Sequence, residues 1–202
     1  EPMKDLPASY DLDDVFPSVR DGLSVKGSLY ALPFYAESSM TYYRADLFRQ
    51  AGLVMPARPT IKDIQRFARQ LHRPEQQQYG ICLRGRPGWG ENMATVSTLA
   101  NTFGGRWFRP DWTPEIDSPE WIRAVDWYLD TLRNYGPPHP ERNGFNENLQ
   151  LFADGHCAIW IDATVAAGSL YNPKESKVAG VLGYAPAPVA VTVRLRGLAG
   201  DW

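Results

Sequence analysis

The stretch Tyr79-Gly80-Ile81-Cys82-Leu83, followed by Arg84-Gly85-Arg86-Pro87-Gly88-Trp89-Gly90 and then by Glu91 to Phe103, decides the fold class. The first five residues are a short apolar run of buried-strand type, and the next seven form a Gly-rich loop. The remainder reads as a helix closed by Gly104-Gly105. The same alternation of strand and helix recurs on both sides and predicts an α/β sheet with helices on its faces. Upstream, Leu29-Tyr30-Ala31-Leu32-Pro33-Phe34 reads as a short strand ending near a cleft, and Ser39-Met40-Thr41-Tyr42-Tyr43 has the aromatic and β-branched content of another. Arg44 to Ala51 is a short helix stopped by Gly52. Thr60, with Asp63 three residues on, caps a helix in which Ile61, Ile64, Phe67, Ala68 and Leu71 recur at helical spacing and which ends near His72.

Downstream, Ser118-Pro119-Glu120 opens a helix with Ser as cap and Pro at the first position. Trp121, Val125, Leu129 and Leu132 predict its apolar stripe, and Trp121 and Trp127 read as core. Asn146 or Glu147 begins a further helix through Phe152, ended by Gly155. Glu147 supports its first turn, where the helix dipole favours negative charge. Cys157 to Ile161 reads as a strand and Ala163 to Tyr171 as helix. In sheets of this kind ligands bind outside the carboxyl ends of the strands.

Composition narrows the function. Among 202 residues, 21 Lys and Arg face 23 Asp and Glu, a formal charge of −2, whereas nucleic-acid binders show a clustered basic surplus. No apolar run approaches the roughly 18 residues of a membrane-spanning helix. Gly and Pro, 17 of each, predict many turns rather than disorder. The length suffices for one large domain or two small ones. The opening Glu1-Pro2-Met3-Lys4-Asp5-Leu6-Pro7 lacks a charged leader, an apolar core and a cleavage site, so either processing removed a leader or the chain is a fragment. Cys82 and Cys157 form no Cys-x-x-Cys pair, which disfavours zinc or thioredoxin-like chemistry. They read either as two buried thiols or as a pair formed in an oxidising compartment.

Three clusters follow predicted strands: Tyr35 to Ser38, Arg84 to Asn92, and Trp160 to Thr164. Each sets an aromatic or aliphatic surface beside a carboxylate. Trp89 lies two residues from Glu91 and three from Asn92, and Trp160 lies two from Asp162, on one side of a strand. Such groups suit a sugar or polyol, whose C–H faces pack on rings and whose hydroxyls engage carboxylates, amides and guanidinium forks. Glu37, Glu91 and Asp162 also offer the carboxylate pair of a glycosidase. The Gly-rich loop matches neither dinucleotide nor P-loop spacing, and Gly85, Pro87 and Gly88 read as shaping a turn. His72, His139 and His156 lack metal-ligand spacing, and no nucleophile elbow or triad appears around Ser38-Ser39.

Leu29 to Pro33, Tyr42-Tyr43-Arg44-Ala45-Asp46-Leu47-Phe48 and Ala51-Gly52-Leu53 resemble the hinge-proximal signature of bacterial extracellular solute-binding proteins of ABC sugar importers. Tyr79-Gly80-Ile81, Gly104-Gly105 and Phe152 to Ile159 follow that family's order of elements. Cys82 to Gly85 with Pro87 to Asn92, Asn143 to Asn148, and Trp160 to Thr164 resemble its sorbitol- and mannitol-binding members. The likeness runs from about residue 10 to about residue 190.

The resemblance implies a type II periplasmic-binding-protein fold, in which two α/β lobes joined by crossing strands trap a ligand between them. This chain would then hold mostly the C-terminal lobe. Residues 1–36 would be a remnant of the N-terminal lobe with the first crossing, 37–186 the C-terminal lobe, and 187–202 the second crossing with an atypical tail from Val193. Family position also implies cleft roles for Glu37, Trp89, Glu91 and Asp162, and further ligand contacts for Tyr35, Arg84, Asn92 and Asn146. The family's strand order sets Cys82 and Cys157 on neighbouring strands, which permits a disulfide.

The implied protein is a monomeric, non-enzymatic periplasmic receptor, or a lipid-anchored extracellular one in a Gram-positive source. It would deliver a polyol or sugar to membrane permease subunits with no metal, cofactor or nucleic acid. Ligand would shift the population toward a closed state because only that state supplies contacts from both lobes. The rivals are a glycoside hydrolase using Glu91 and Asp162, and a protein-binding module anchored by exposed Trp and Tyr.

Overall fold

The computed structural model describes residues 1–190 apart from Lys4, Asp5, Ala8 and Trp89. The expected tail from Val193 and the expected site residue Trp89 therefore lie outside the described residues. The chain divides into two compact units, one spanning Glu1–Ser38 and a larger one opening at Ser39.

In the first unit, α1 (Pro17–Gly22) leads into a hairpin of β1 (Ser24–Val25) and β2 (Ser28–Leu29). The two-residue turn between them, Lys26-Gly27, has φ of 51° and 77°, the left-handed geometry that matches strand twist in tight hairpins. The expected strand Leu29–Phe34 is not formed. Its β structure ends at Leu29, and Phe34 and Tyr35 lie exposed with their rings edge to face at 5.3 Å.

The second unit is built on a three-stranded sheet of order β4-β3-β5: β3 (Ser39–Arg44) runs antiparallel to both β4 (Ile159–Ala163) and β5 (Leu182–Pro186). Residues 79–82 extend alongside β4 without forming a full ladder. Tyr79 pairs with Cys157 and Cys82 with Trp160, both in parallel. The expected strand 79–83 is thus a bridged edge segment, and Cys82 and Cys157 are joined by a disulfide with Cα atoms 5.9 Å apart.

The helices of this unit are α2 (Ala45–Gln50), α3 (Ile61–Leu71), α4 (Glu91–Phe103), α5 (Pro119–Tyr135), α6 (Phe145–Ala153) and α7 (Ala167–Leu170). Thr60 caps α3 through a full capping box with Asp63, and Ser118 caps α5. Side chains that alternate along the extended segments feed two cores. Ile81, Leu83, Ile159 and Ile161 pack with α3, α4 and α5, while Cys82, Tyr42 and Trp160 pack with α6 and α7. The sheet is therefore clad on both faces. Helix α5 buries Trp121, Ala124, Trp127, Tyr128, Thr131 and Leu132, whereas Leu129 of the expected stripe is 36% exposed and Val125 only half-buried. Beyond β5, Val189 bonds to Pro59 and Ile61, and Thr102 Oγ1 contacts Pro188 and Ala190, so residues 188–190 stay with this unit.

Candidate functional site

The alternation that sorts the core also places the site. Arg84 follows Cys82 by two residues and Asp162 follows Trp160 by two, so both leave their segments toward α6, at the same carboxyl edge of a parallel pair. The Arg84 Nε donates to Asp162 Oδ2 at 2.9 Å and to Oδ1 at 3.1 Å, with Nη2 also on Oδ1. The Asp162 side chain is 1% exposed, and Oδ1 also accepts the Ala163 N–H at 2.7 Å. The other edge of the guanidinium reaches Glu91: Nη1 lies 3.4 Å from Oε2. Its carbon sits 5.1 Å from the centre of the Phe145 ring, a cation–π contact. The main-chain carbonyl of Arg84 accepts the Tyr128 hydroxyl at 2.7 Å, and burial pushes that phenol up to about 12, so it stays a donor.

Glu91 is the first residue of α4, yet its carboxylate serves a different helix. Oε2 accepts the N–H of Phe145, the first residue of α6, at 3.1 Å. The carboxylate lies flat on Gly144, where an added Cβ would stand 2.6 Å from Oε1 and 2.7 Å from the carboxyl carbon. A side chain at position 144 would have to displace the Glu91 carboxylate. Glu147 completes the same helix end by accepting the Gly144 N–H at 2.9 Å and pairing with Arg86 at 2.6 Å. Burial opposes the charge of Glu147, but these backbone and Arg86 contacts outweigh it and hold the carboxyl below the usual range. The Gly-rich loop is strapped to the same point, since the Gly85 and Arg86 amides both donate to Asn143 O at 2.9 and 3.0 Å. Gly85 thus does more than shape a turn: Pro140 lies so close that a Cβ there would overlap its carbonyl.

The structure thus brings Arg84, Glu91 and Asp162 into one buried cluster. Asn146 lies in the first turn of α6, exposed. Asn92 is half-buried and its N–H bonds Arg86 O at 3.0 Å. It faces a separate groove of about 600 Å³ whose walls include Tyr79, Tyr128 and Pro138, and the three charged residues do not line that groove. Tyr35, 67% exposed, and Glu37, half-buried, belong to the first unit. Trp160, read as an aromatic wall, is fully buried and packs on Tyr42, Phe145 and Phe152 at 5.5, 5.6 and 6.0 Å. Sequence reasoning missed Phe145, Tyr128 and Gly144. Gly144 carried a signal, a glycine just ahead of a helix start, but the carboxylate that occupies its side-chain space lies 53 residues away in sequence.

Chemically, the cluster offers a guanidinium with two acids locked to it, at the edge where α/β sheets present ligand sites. Residues 1–194 match the family of bacterial extracellular solute-binding proteins, and the chain belongs to it. A mannitol-binding protein of Pseudomonas aeruginosa is 62% identical over 192 residues, covering 95% of this chain and 44% of the relative. An ABC transporter solute-binding protein from Agrobacterium vitis, solved with bound D-mannitol, superposes with a TM-score of 0.83 at 54% identity, over 89% of this chain and 43% of that one. Another from Agrobacterium radiobacter, in complex with ribitol, gives 0.82 at 30% identity, over 91% and 46%. The chain thus spans less than half the length of these relatives. They have the type II periplasmic-binding-protein fold, which is the fold class expected from the resemblance.

Proposed function

We propose that this chain is part of the substrate-binding component of an ABC importer that captures a sugar alcohol or related sugar and hands it to membrane permease subunits. The observation that carries the reading is the 62% identity, over 95% of the chain, to a protein named for mannitol binding. The site supports it. Arg84 is held by acids on two edges with its side chain 13% exposed, a rigid donor of the sort that reads paired hydroxyls. Trp89 and Asn146 join Arg84 in the proposed ligand set, with residues 1–36 as a remnant of one lobe and 37–186 as most of the other. The receptor acts as a monomer in the periplasm, or lipid-anchored outside a Gram-positive cell.

A binding role also fits the acids better than hydrolysis does. A glycosidase needs one carboxyl free as acid and another free as nucleophile or base. Glu91 and Asp162 are instead spent on a single guanidinium.

Calorimetry of a full-length protein containing this segment, titrated with D-mannitol, D-sorbitol and ribitol, tests the reading. Saturable binding of at least one is expected, weakened about tenfold or more by Arg84→Lys, which loses the planar fork. The 202 residues alone should bind weakly, since closure draws contacts from both lobes. No polyol binding by the full-length protein, or turnover of a glycosidic bond seen by chromatography, would overturn it.

A further inference from the structure

We infer that the Glu91 carboxylate is an internal anion, seated in a cationic hole formed by the Arg84 guanidinium and the amino end of α6, and that it restricts the site to uncharged ligands. The ligand half of this inference rests on the polyol reading above; the hole itself does not.

A helix amino terminus with free N–H groups beside an arginine is where proteins hold a substrate's phosphate or carboxylate. Here α6, nine residues long, has such an end, and a side chain of the chain itself occupies it. Glu91 Oε2 takes both the Phe145 N–H at 3.1 Å and Arg84 Nη1 at 3.4 Å. Its carboxylate occupies the space that a Cβ on residue 144 would claim. The neighbouring donor, the Gly144 N–H, is taken by Glu147. The far edge of Arg84 is taken by Asp162.

Two carboxylates on one guanidinium leave the trio at a formal charge of −1, with Glu91 only 7% and Asp162 only 3% exposed. An incoming aldonate or sugar phosphate therefore meets a like charge that burial screens poorly. A hexitol carries no charge and is spared that repulsion. On this reading Glu91 sets specificity without being a catalytic group or a principal ligand contact.

Two measurements test this. Calorimetry of the full-length protein compares D-mannitol with D-mannonate, the same skeleton bearing one carboxylate. The wild type is expected to favour mannitol by about a hundredfold or more, and Glu91→Gln, which keeps the shape and removes the charge, to narrow that ratio at least tenfold. Separately, Glu91→Ala empties the hole, so formate at tens of millimolar should raise its thermal midpoint by several degrees, while the wild type and Glu91→Gln do not respond. Wild-type mannonate binding within threefold of mannitol overturns the inference, as does an unchanged ratio in Glu91→Gln. Formate indifference of Glu91→Ala overturns it too, as does that variant's failure to fold in formate. If no neutral polyol binds the wild type, the polyol reading fails, and the formate response alone decides whether the hole exists.

Discussion

Arg84 and Asp162 stand 78 residues apart in the chain, the same separation as Tyr79 from Cys157 and Cys82 from Trp160, so one parallel register sets guanidinium against carboxylate. The Cys82–Cys157 disulfide ties the two segments that keep this register, and both cysteines are fully buried.

Opening that bond should therefore be costly. It closes a loop with a sequence separation of 75, for which the chain-entropy argument gives roughly 4 kcal/mol. Cys82→Ala/Cys157→Ala is expected to lose about 2–4 kcal/mol in urea unfolding. A loss below about 1 kcal/mol would mean that packing of 79–83 on β4 holds the register unaided.

Gly144→Ala forces a Cβ into the Glu91 carboxylate. It should destabilise by about 1–3 kcal/mol, as overpacking of a tight site does, and weaken polyol binding through Arg84. Truncating the obstacle in Gly144→Ala/Glu91→Ala should return part of the stability. Purely additive losses in the double-mutant cycle would show that the two residues do not compete for space.

Thr131 is fully buried on α5, and its hydroxyl has no hydrogen-bond partner among the described residues. Thr131→Val removes an unpaired polar atom at nearly constant shape and should stabilise by about 1 kcal/mol, read as a higher urea midpoint at unchanged slope. A lower midpoint would mean that the hydroxyl is satisfied in solution.

Asp63 is held below its ordinary value of 3.8, first by the Thr60 hydroxyl at 2.6 Å, with the Thr60 N–H and Arg66 adding to this and burial opposing it. A depressed carboxyl stabilises the fold above the unfolded value and loses that contribution as pH falls through the folded one. Thr60→Ala should cost about 1 kcal/mol at pH 7, and the gap to wild type should shrink as the pH drops below 3.8. A gap that stays constant from pH 7 to pH 2 would dissociate the cap from the Asp63 carboxylate.

Local chemistry made most elements legible. The Thr60 box, the Ser118-Pro119 start and the glycines at 104 and 155 fix helix ends through contacts within four residues, and the helices fall where those signals lie. Leu29–Phe34 has strand composition, but its ladder ends at Leu29, with the Tyr30 N–H still bonded to Leu23 O at 3.0 Å, because a strand exists only if another pairs with it. On α5 the stripe was misjudged because Ala124 and Thr131, small or polar, are buried where Leu129 is not.

The sequence by itself determined the fold class, the ends of α3, α4 and α5 and the presence of acids, an arginine and rings after strands, since these follow from propensity, spacing and period, whereas the helix expected over Ala163 to Tyr171 shrinks to Ala167–Leu170 because Ala163 closes β4. Which of those groups meet was decided only by the tertiary structure. The pairing register delivers Asp162 to Arg84, α6 arrives with its amino end on Glu91, and Phe145 and Phe152 cover Trp160. Contacts between residues more than fifty positions apart depend on how sheet and helices pack, which no local pattern encodes.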